Sequence, residues 1–348
     1  VTVLDAPPDP RLPGVAELGH RIAEASAAVG ARVTWDWPAV PAQRGRIARG
    51  RTTAGGAGRL LPTADGWAAV QLARDDDHDL LDAWFALAGV EPRTGVAVDP
   101  TDPWPAVARG VRRATGAALA DAAGLVGLAV GVLDECRPDG HGGVHVALGR
   151  HRRTRRPPRV VDLSALWAGP LCGAVLAAAG AEVTKVEAID RPDGARVGDP
   201  DLFAALNGHK AHRTLDLRTA AGRADLAALV RDADVVVEAS RPRALAALGL
   251  VAEHLVTGDD GPAVWVSITG HGRRSPRIAY GDDAAVAGGL VDHDHDGPRF
   301  RGDALADPLS GLAAAATALE LLADGDGGLV EVSMAAVAAA HASHDRTP

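Results

Sequence analysis

RVVDLSALWAGPLCGAVLAAAGAEVTKVE, residues 159–187, decides the fold. Val160, Val161 and Leu163 make a mostly apolar run of strand type. Gly169 and Pro170 then open a helix, and Gly180 closes it ahead of a second strand at 182–186. A helix this apolar must be covered on most of its surface, so the βαβ unit belongs in the middle of an α/β domain. Neither GxGxxG nor GxxxxGK(S/T) follows the first strand, which argues against nicotinamide chemistry and against a phosphate loop.

Downstream, the alternation continues with a short turn or helix at 201–207, a strand at 214–217, a helix at 220–231 and strands at 234–238 and 263–269. Such an order makes a parallel sheet covered by helices on both faces the natural architecture. Ligands of these sheets bind at the carboxyl ends of the strands, which directs attention to 164–170, 187–191, 238–241 and 270–280.

Upstream, residues 15–29 have helical apolar spacing and run into a strand-like 31–37. The arginine-rich 43–51 leads to Thr52-Thr53-Ala54-Gly55-Gly56-Ala57-Gly58, whose glycines leave a mobile backbone suited either to a connector or to close approach to a ligand. A strand at 59–63, an Asp65-Gly66 turn, an alternating strand at 67–72 and a helix at 77–88 follow. Helices at 104–115 and 117–128 and a short strand at 130–135 complete this part. Residues 138–158, with Arg150, Arg152, Arg153, Arg155 and Arg156, are expected to be a solvated basic linker. The chain is thus expected to divide into 1–51 (unassigned), 52–137, the linker 138–158 and the large sheet domain 159–348, and the reading of 52–137 as a smaller α/β domain comes from the family resemblance given below.

A chain of 348 residues, 47% hydrophobic and 23% charged, can bury a full core. Its net charge of −9 argues against a general polyanion-binding surface, and the arginines have no aromatic platform beside them, so no nucleic-acid partner is expected. Cys136 and Cys172 give no disulfide framework, which fits a reducing cytoplasm. The start VTVLDAPPDP has no signal character and no apolar run reaches the length of a membrane span, so no membrane partner is expected either.

Asp307 before Pro308 reads as an ordinary helix N-cap; a helix N-terminus also keeps a carboxylate ionised and available as a nucleophile. Asp292-His293-Asp294-His295-Asp296, followed by Gly297-Pro298, reads as an exposed acidic turn, and with His141 and His145 flanked by glycines no metal site is expected.

The segment from Val160 to about Ala340 resembles family III (CaiB/BaiF-type) coenzyme A transferases. The likeness rests on the strand with Ala168-Gly169-Pro170, an apolar helix and Lys185-Val186-Glu187. It continues through Asn207 and Lys210, the run Ala233 to Glu238 followed by Arg241-Pro242, Ser267 to Gly270, Ala306-Asp307 and Val330 to Met334. The resemblance implies a Rossmann-like large domain with a smaller α/β domain, here with the small-domain-like part placed first. It implies CoA transfer between an acyl-CoA and a carboxylic acid, with no permanently bound cofactor, in a homodimer. It makes Asp307 the nucleophile, with Gly55 and Gly56 in a loop covering it. Contacts to CoA would fall to Trp167, Ala168, Arg191, Lys210, Arg241, Arg277 and Tyr280. Departures from the family pattern are Ala188, where arginine is common, and Ala239-Ser240 after Glu238. The racemase branch pairs the same aspartate with a histidine whose place is taken here by Tyr280, a poor base at neutral pH. Racemization and an acyl-CoA-binding protein without turnover are the alternatives.

Overall fold

The computed structural model describes residues 14–31, 33, 48, 50–90, 101–150 and 155–344. In chain order its strands are β1 (Gly58–Pro62), β2 (Trp67–Gln71), β3 (Ala129–Val132), β4 (Val144–Leu148), β5 (Arg159–Asp162), β6 (Glu182–Ala188), β7 (Ala211–Leu215), β8 (Val235–Glu238), β9 (Val264–Thr269), β10 (Val291–Asp294), β11 (Gly297–Phe300) and β12 (Gly328–Ser333). The chain forms two compact units. One takes in 1–45, 144–269 and 307–332, the other 46–143, 270–306 and 333–348. Residues 159–348, expected as one domain, are thus shared between the units. No described helix is long and apolar enough to cross a membrane.

The first unit is built on a seven-stranded sheet of order β4-β12-β9-β8-β5-β6-β7. β5 pairs in parallel with both β6 and β8, and β7 and β9 extend the parallel run outward. Short β-branched runs such as Val235-Val236-Val237, buried on both faces, are what a central parallel strand requires. Successive strand residues point to opposite faces. Val161 joins a core with Leu226 and Val230 of the helix Ala220–Asp232. The neighbouring Asp162 faces Gly173 of the helix Ala168–Ala178, so helices cover both faces as expected.

Two expectations shift. The strand foreseen at 214–217 lies at Ala211–Leu215, because its register with β6 runs from Thr184↔Ala211 to Ala188↔Leu215. The supposed linker 138–158 contains β4, which pairs antiparallel with β12 from Val144↔Val332 to Leu148↔Gly328. Its described arginines are tied down as well: Arg150 pairs with Asp259, and Arg155 with Asp232.

At the carboxyl end of β5 the sheet holds a buried ionic cluster. Lys210 Nζ donates to Asp162 Oδ2 (2.8 Å), to the Pro170 carbonyl (2.8 Å) and to Asn207 Oδ1 (2.9 Å). Burial pushes the Asp162 carboxyl up, but the charges of Lys210 and Lys185 and hydrogen bonds from Lys210 and Ser164 hold it below the usual carboxylate range. Burial likewise draws Lys210 down, opposed by Asp162. A Cβ on Gly173 would lie 3.0 Å from both Asp162 Oδ2 and Lys210 Nζ, so glycine is what lets the helix close over the pair.

The helix Val15–Ala28 belongs to this unit and docks through Arg21, whose Nε and Nη2 donate to Glu320 (2.7 and 2.8 Å) of the helix Ala306–Asp324. The strand foreseen at 31–37 falls mostly outside the described residues.

The second unit has an antiparallel sheet β1-β2-β3 backed by helices around Trp84, Leu119 and Val130. Residues 77–88, foreseen as one helix, are a 3₁₀ turn Asp75–Leu80 and a helix Leu81–Leu87. The first helix foreseen at 104–115 ends at Val111, because Thr115 Oγ1 caps the next one by accepting from Ala118 N (3.3 Å). The helix Gly281–Ala287 packs on β2, on β3 and on the helix Met334–His344, which is why these later segments count with this unit.

Removing one partner of a buried ion pair leaves an uncompensated charge. Lys210→Met is expected to cost about 3–5 kcal/mol, and Asp162→Asn together with Lys210→Met distinctly less, measured by urea unfolding.

Candidate functional site

In the parallel run the chain moves from β5 to β6 and β7 on one side and to β8 and β9 on the other. The loops after β5 and β8 therefore flank a topological switch point, where sheets of this kind bind ligands. The β5 loop is held from below. Lys185, fully buried in β6, donates from Nζ to the Ser164 carbonyl (2.6 Å) and pairs with Asp193 (2.9 Å). Asp193 Oδ1 in turn accepts from Leu166 N and Ala195 N, both at 3.0 Å. Glu187 Oε1 accepts from Asp193 N (2.8 Å), and hydrogen bonding from Arg196 draws the Glu187 carboxyl down against partial burial. This network fixes Leu166 at φ 68°, a left-handed backbone unusual for leucine, and delivers Trp167 and Ala168 to the start of the helix. The β8 loop is set by buried Glu238, which accepts from Ser267 Oγ (2.5 Å) and Ser240 N (2.9 Å).

Asp307 lies in the first turn of the 19-residue helix Ala306–Asp324, one position inside the helix start and not at the cap foreseen from Asp-Pro. It is partly buried. A Cβ on Gly311 would stand 2.5 Å from the Ala168 carbonyl oxygen, so the two helices touch there. Asp307 is one turn earlier, about 6 Å along the axis. Asp307 and the Trp167-Ala168 turn thus lie in the same unit, near the starts of two helices that touch at Gly311 and Ala168.

The other expected contacts of this unit differ in availability. Lys210 is buried and its ammonium is engaged by Asp162, the Pro170 carbonyl and Asn207. Exposed Arg191 closes the turn after β6, where its N–H donates to the Ala188 carbonyl (3.1 Å). Arg241, in the β8 loop, is the N-cap residue of the helix Pro242–Ala246. Leu166 and Ile189, on the loops after β5 and β6, and Val197, in the short helix Ala195–Gly198, are large apolar side chains left exposed.

Gly55, Gly56, Arg277 and Tyr280 belong to the second unit. Its glycine loop is braced where a mobile backbone was expected. Gly56 N donates to the Thr53 carbonyl (2.9 Å) and Gly58 N to Thr53 Oγ1 (2.9 Å). Arg59 Nη1 clamps the Gly56 and Gly58 carbonyls (2.7 and 2.9 Å), with its guanidinium 4.6 Å from the Trp104 ring. The Gly56 N–H is therefore already engaged. Arg277 pairs with Glu135 (2.7 Å) and donates to the Val130 carbonyl (2.6 Å). Tyr280 is the N-cap residue of the helix Gly281–Ala287, its hydroxyl pushed up to about 12 by burial.

Asp294, His295 and Asp296 cluster at the exposed β10-β11 turn, where Arg51 donates to the Pro298 carbonyl (3.1 Å). Cys172 is buried against the Asp162 pair, and burial pushes its thiol up, as suits a packing residue.

The partners of Lys185 and Glu187, which are Asp193 and Arg196, are not evident from the Lys185-Val186-Glu187 motif itself. The available signal was two charges alternating along an otherwise apolar strand in the middle of a parallel sheet, which demands buried counter-charges.

The model of CoA-transferase family III matches residues 158–346. An acyl-CoA transferase of Fusarium pseudograminearum is 35% identical over 51% of this chain and 44% of its own. Succinyl-CoA–D-citramalate CoA-transferase of Chloroflexus aurantiacus is 31% identical over 52% of this chain and 50% of its own. A solved CAIB/BAIF family protein from Brucella suis is 27% identical with a TM-score of 0.47, covering 56% of this chain and 55% of that one. The chain spans about half the length of these curated relatives. With more than half of its residues matched by the family model, on the sheet and the Asp307 helix described above, the chain belongs to CoA-transferase family III.

Proposed function

We propose that the protein moves CoA between an acyl-CoA and a carboxylic acid, with Asp307 as the covalent nucleophile. The observation that carries the reading is the position of Asp307 in a chain of this family. It lies in the first turn of a long helix, where the helix dipole favours an ionised carboxylate, one turn from the contact with Ala168 at the switch-point loop. In this reading the Asp307 carboxylate attacks the thioester carbon, forming an acyl-aspartyl anhydride and expelling CoA thiolate. The thiolate attacks the aspartyl carbonyl, releasing the first acid and leaving an aspartyl-CoA thioester. The incoming carboxylate reverses both steps, so no redox partner or permanent cofactor is needed.

Arg191, Arg241 and the apolar Leu166, Ile189 and Val197 are the groups proposed to receive CoA around Trp167 and Ala168. Lys210 supports that region from inside the fold. Gly55 and Gly56 are proposed as the cover that keeps water from the intermediates, with Arg277 and Tyr280 supporting their unit. Racemization is the weaker reading, because Tyr280, pushed up to about 12, holds its proton at neutral pH where a base is needed. A homodimer in a reducing cytoplasm completes the proposal, on the family resemblance and on the two free cysteines.

Asp307→Ala is expected to abolish CoA transfer while the thermal transition shifts little. Intact mass after exposure to acyl-CoA should show a hydroxylamine-labile adduct on the wild type alone; transfer surviving in the variant would overturn the nucleophile. Gly56 sits at φ 81° with open space around its Cβ position, so Gly56→Val disturbs the backbone and not the packing. Its ratio of thioester hydrolysis to transfer is expected to rise, and an unchanged ratio returns the loop to the role of a connector. Sedimentation velocity is expected to show a dimer, and a monomer with full activity would remove that element.

A further inference from the structure

The five residues ahead of the Asp307 helix, Arg301 to Leu305, follow a backbone path that needs holding. Gly302 has φ 153°, and Ala304, which is not glycine, has φ 50°. For an L-residue with a Cβ that left-handed conformation is disfavoured and survives only where the surroundings impose it. Here the restraint is visible. Ala304 N donates to Asp282 Oδ1 at 2.9 Å, a charge-assisted bond to a side chain on the first turn of the helix Gly281–Ala287. That helix is firmly seated: a Cβ on Gly131 of β3 would fall 2.0 Å from the Asp283 carbonyl oxygen, so strand and helix are in close contact at this point.

The other carboxylate oxygen accepts from Gln71. Gln71 Nε2 lies 3.4 Å from Asp282 Oδ2. Gln71 is buried, and its Oε1 would be 2.4 Å from a Cβ on Gly58, so its amide is lodged against the end of the Thr53 to Gly58 turn. One carboxylate therefore joins Gln71, which is lodged against the end of the glycine loop, to the backbone three residues before Asp307, all within the second unit up to Ala304.

We propose that Asp282 is a positioning residue for the transferase reaction: through the Ala304 N–H it sets the path by which the chain enters the Asp307 helix, and through Gln71 it ties that path to the glycine loop. The inference rests on the reading of Asp307 as nucleophile. Because Asp282 acts through the backbone, its loss displaces the nucleophile without removing a group that binds CoA. The effect belongs in kcat and in the leakage of intermediates to water, not in KM for acyl-CoA.

The test compares wild type, Asp282→Ala, Asp282→Asn and the double variant Asp282→Ala with Ala304→Gly, each checked for folding by its thermal transition. Asp282→Ala is expected to lower kcat roughly ten- to a hundredfold with KM for acyl-CoA within about twofold, and to raise the hydrolysis-to-transfer ratio. Asp282→Asn keeps an acceptor for Ala304 N and is expected to retain most of kcat. In the double variant glycine adopts φ > 0 without steric cost, so part of the lost kcat is expected to return. A normal kcat in Asp282→Ala, a change confined to KM, or no difference between the Ala and Asn variants would overturn the proposal. Amide hydrogen exchange at Ala304 is followed in the same samples. If the wild type shows no transfer, the functional reading fails by itself, and exchange then judges the link: faster exchange in Asp282→Ala supports it, equal protection overturns it.

Discussion

The buried pair of Asp162 and Lys210 is the constraint from which the sheet unit is arranged. Asp162 ends the central strand at the switch point, and a charge there is tolerable only with a counter-charge and full hydrogen bonding. Lys210 supplies both. Its other two donors go to the Pro170 carbonyl and to Asn207, so one ammonium joins the end of β5, the first turn of the helix Ala168–Ala178 and the approach to β7. Gly173 removes the side chain that would keep that helix away.

Around this pair a second circuit fixes the loop where substrate is proposed to bind. Lys185 and Glu187 are carried by β6 and reach Asp193 and Arg196 just beyond it, and Asp193 takes the N–H of Leu166. The loop after β5 thus takes its shape from side chains on the neighbouring strand and the turn following it. A loop held in this way can present Trp167 and Ala168 in one arrangement at little cost when a ligand arrives. The glycine loop follows the same logic by other means: Thr53 and Arg59 take up its polar groups, which leaves a rigid turn with glycine backbone on its outside.

Much of this was legible in the chain. The βαβ unit, the apolar helix, the alternation of strands and helices and the position of Asp307 near a helix start follow from periodicity, glycine and proline signals, and the resemblance to family III rested on the same residues that the family model covers. The edge strand β4 was not legible, because a short strand with glycines on one side and arginines on the other carries the composition of a linker until a partner strand lies beside it. Lys210 was expected as a contact to CoA, and its enclosure with Asp162 was not legible, because a sequence shows charge and not whether that charge is enclosed.

By itself, the sequence determined the inner strands β5, β8 and β9 of the parallel sheet, because burial on both faces imposes mostly apolar β-branched runs. The close approaches at Gly173 and Gly311, where only glycine leaves room, came from the tertiary structure, because a glycine in an apolar helix does not show which neighbour it admits. Only the tertiary structure decided how charges pair, that residues 270–306 and 333–344 count with the β1-β2-β3 unit, and that Asp282 reaches the backbone of Ala304. The physical reason is range: propensity and periodicity act over a few residues, whereas the partner of a buried charge or of a backbone N–H is set by contacts between segments far apart in the chain.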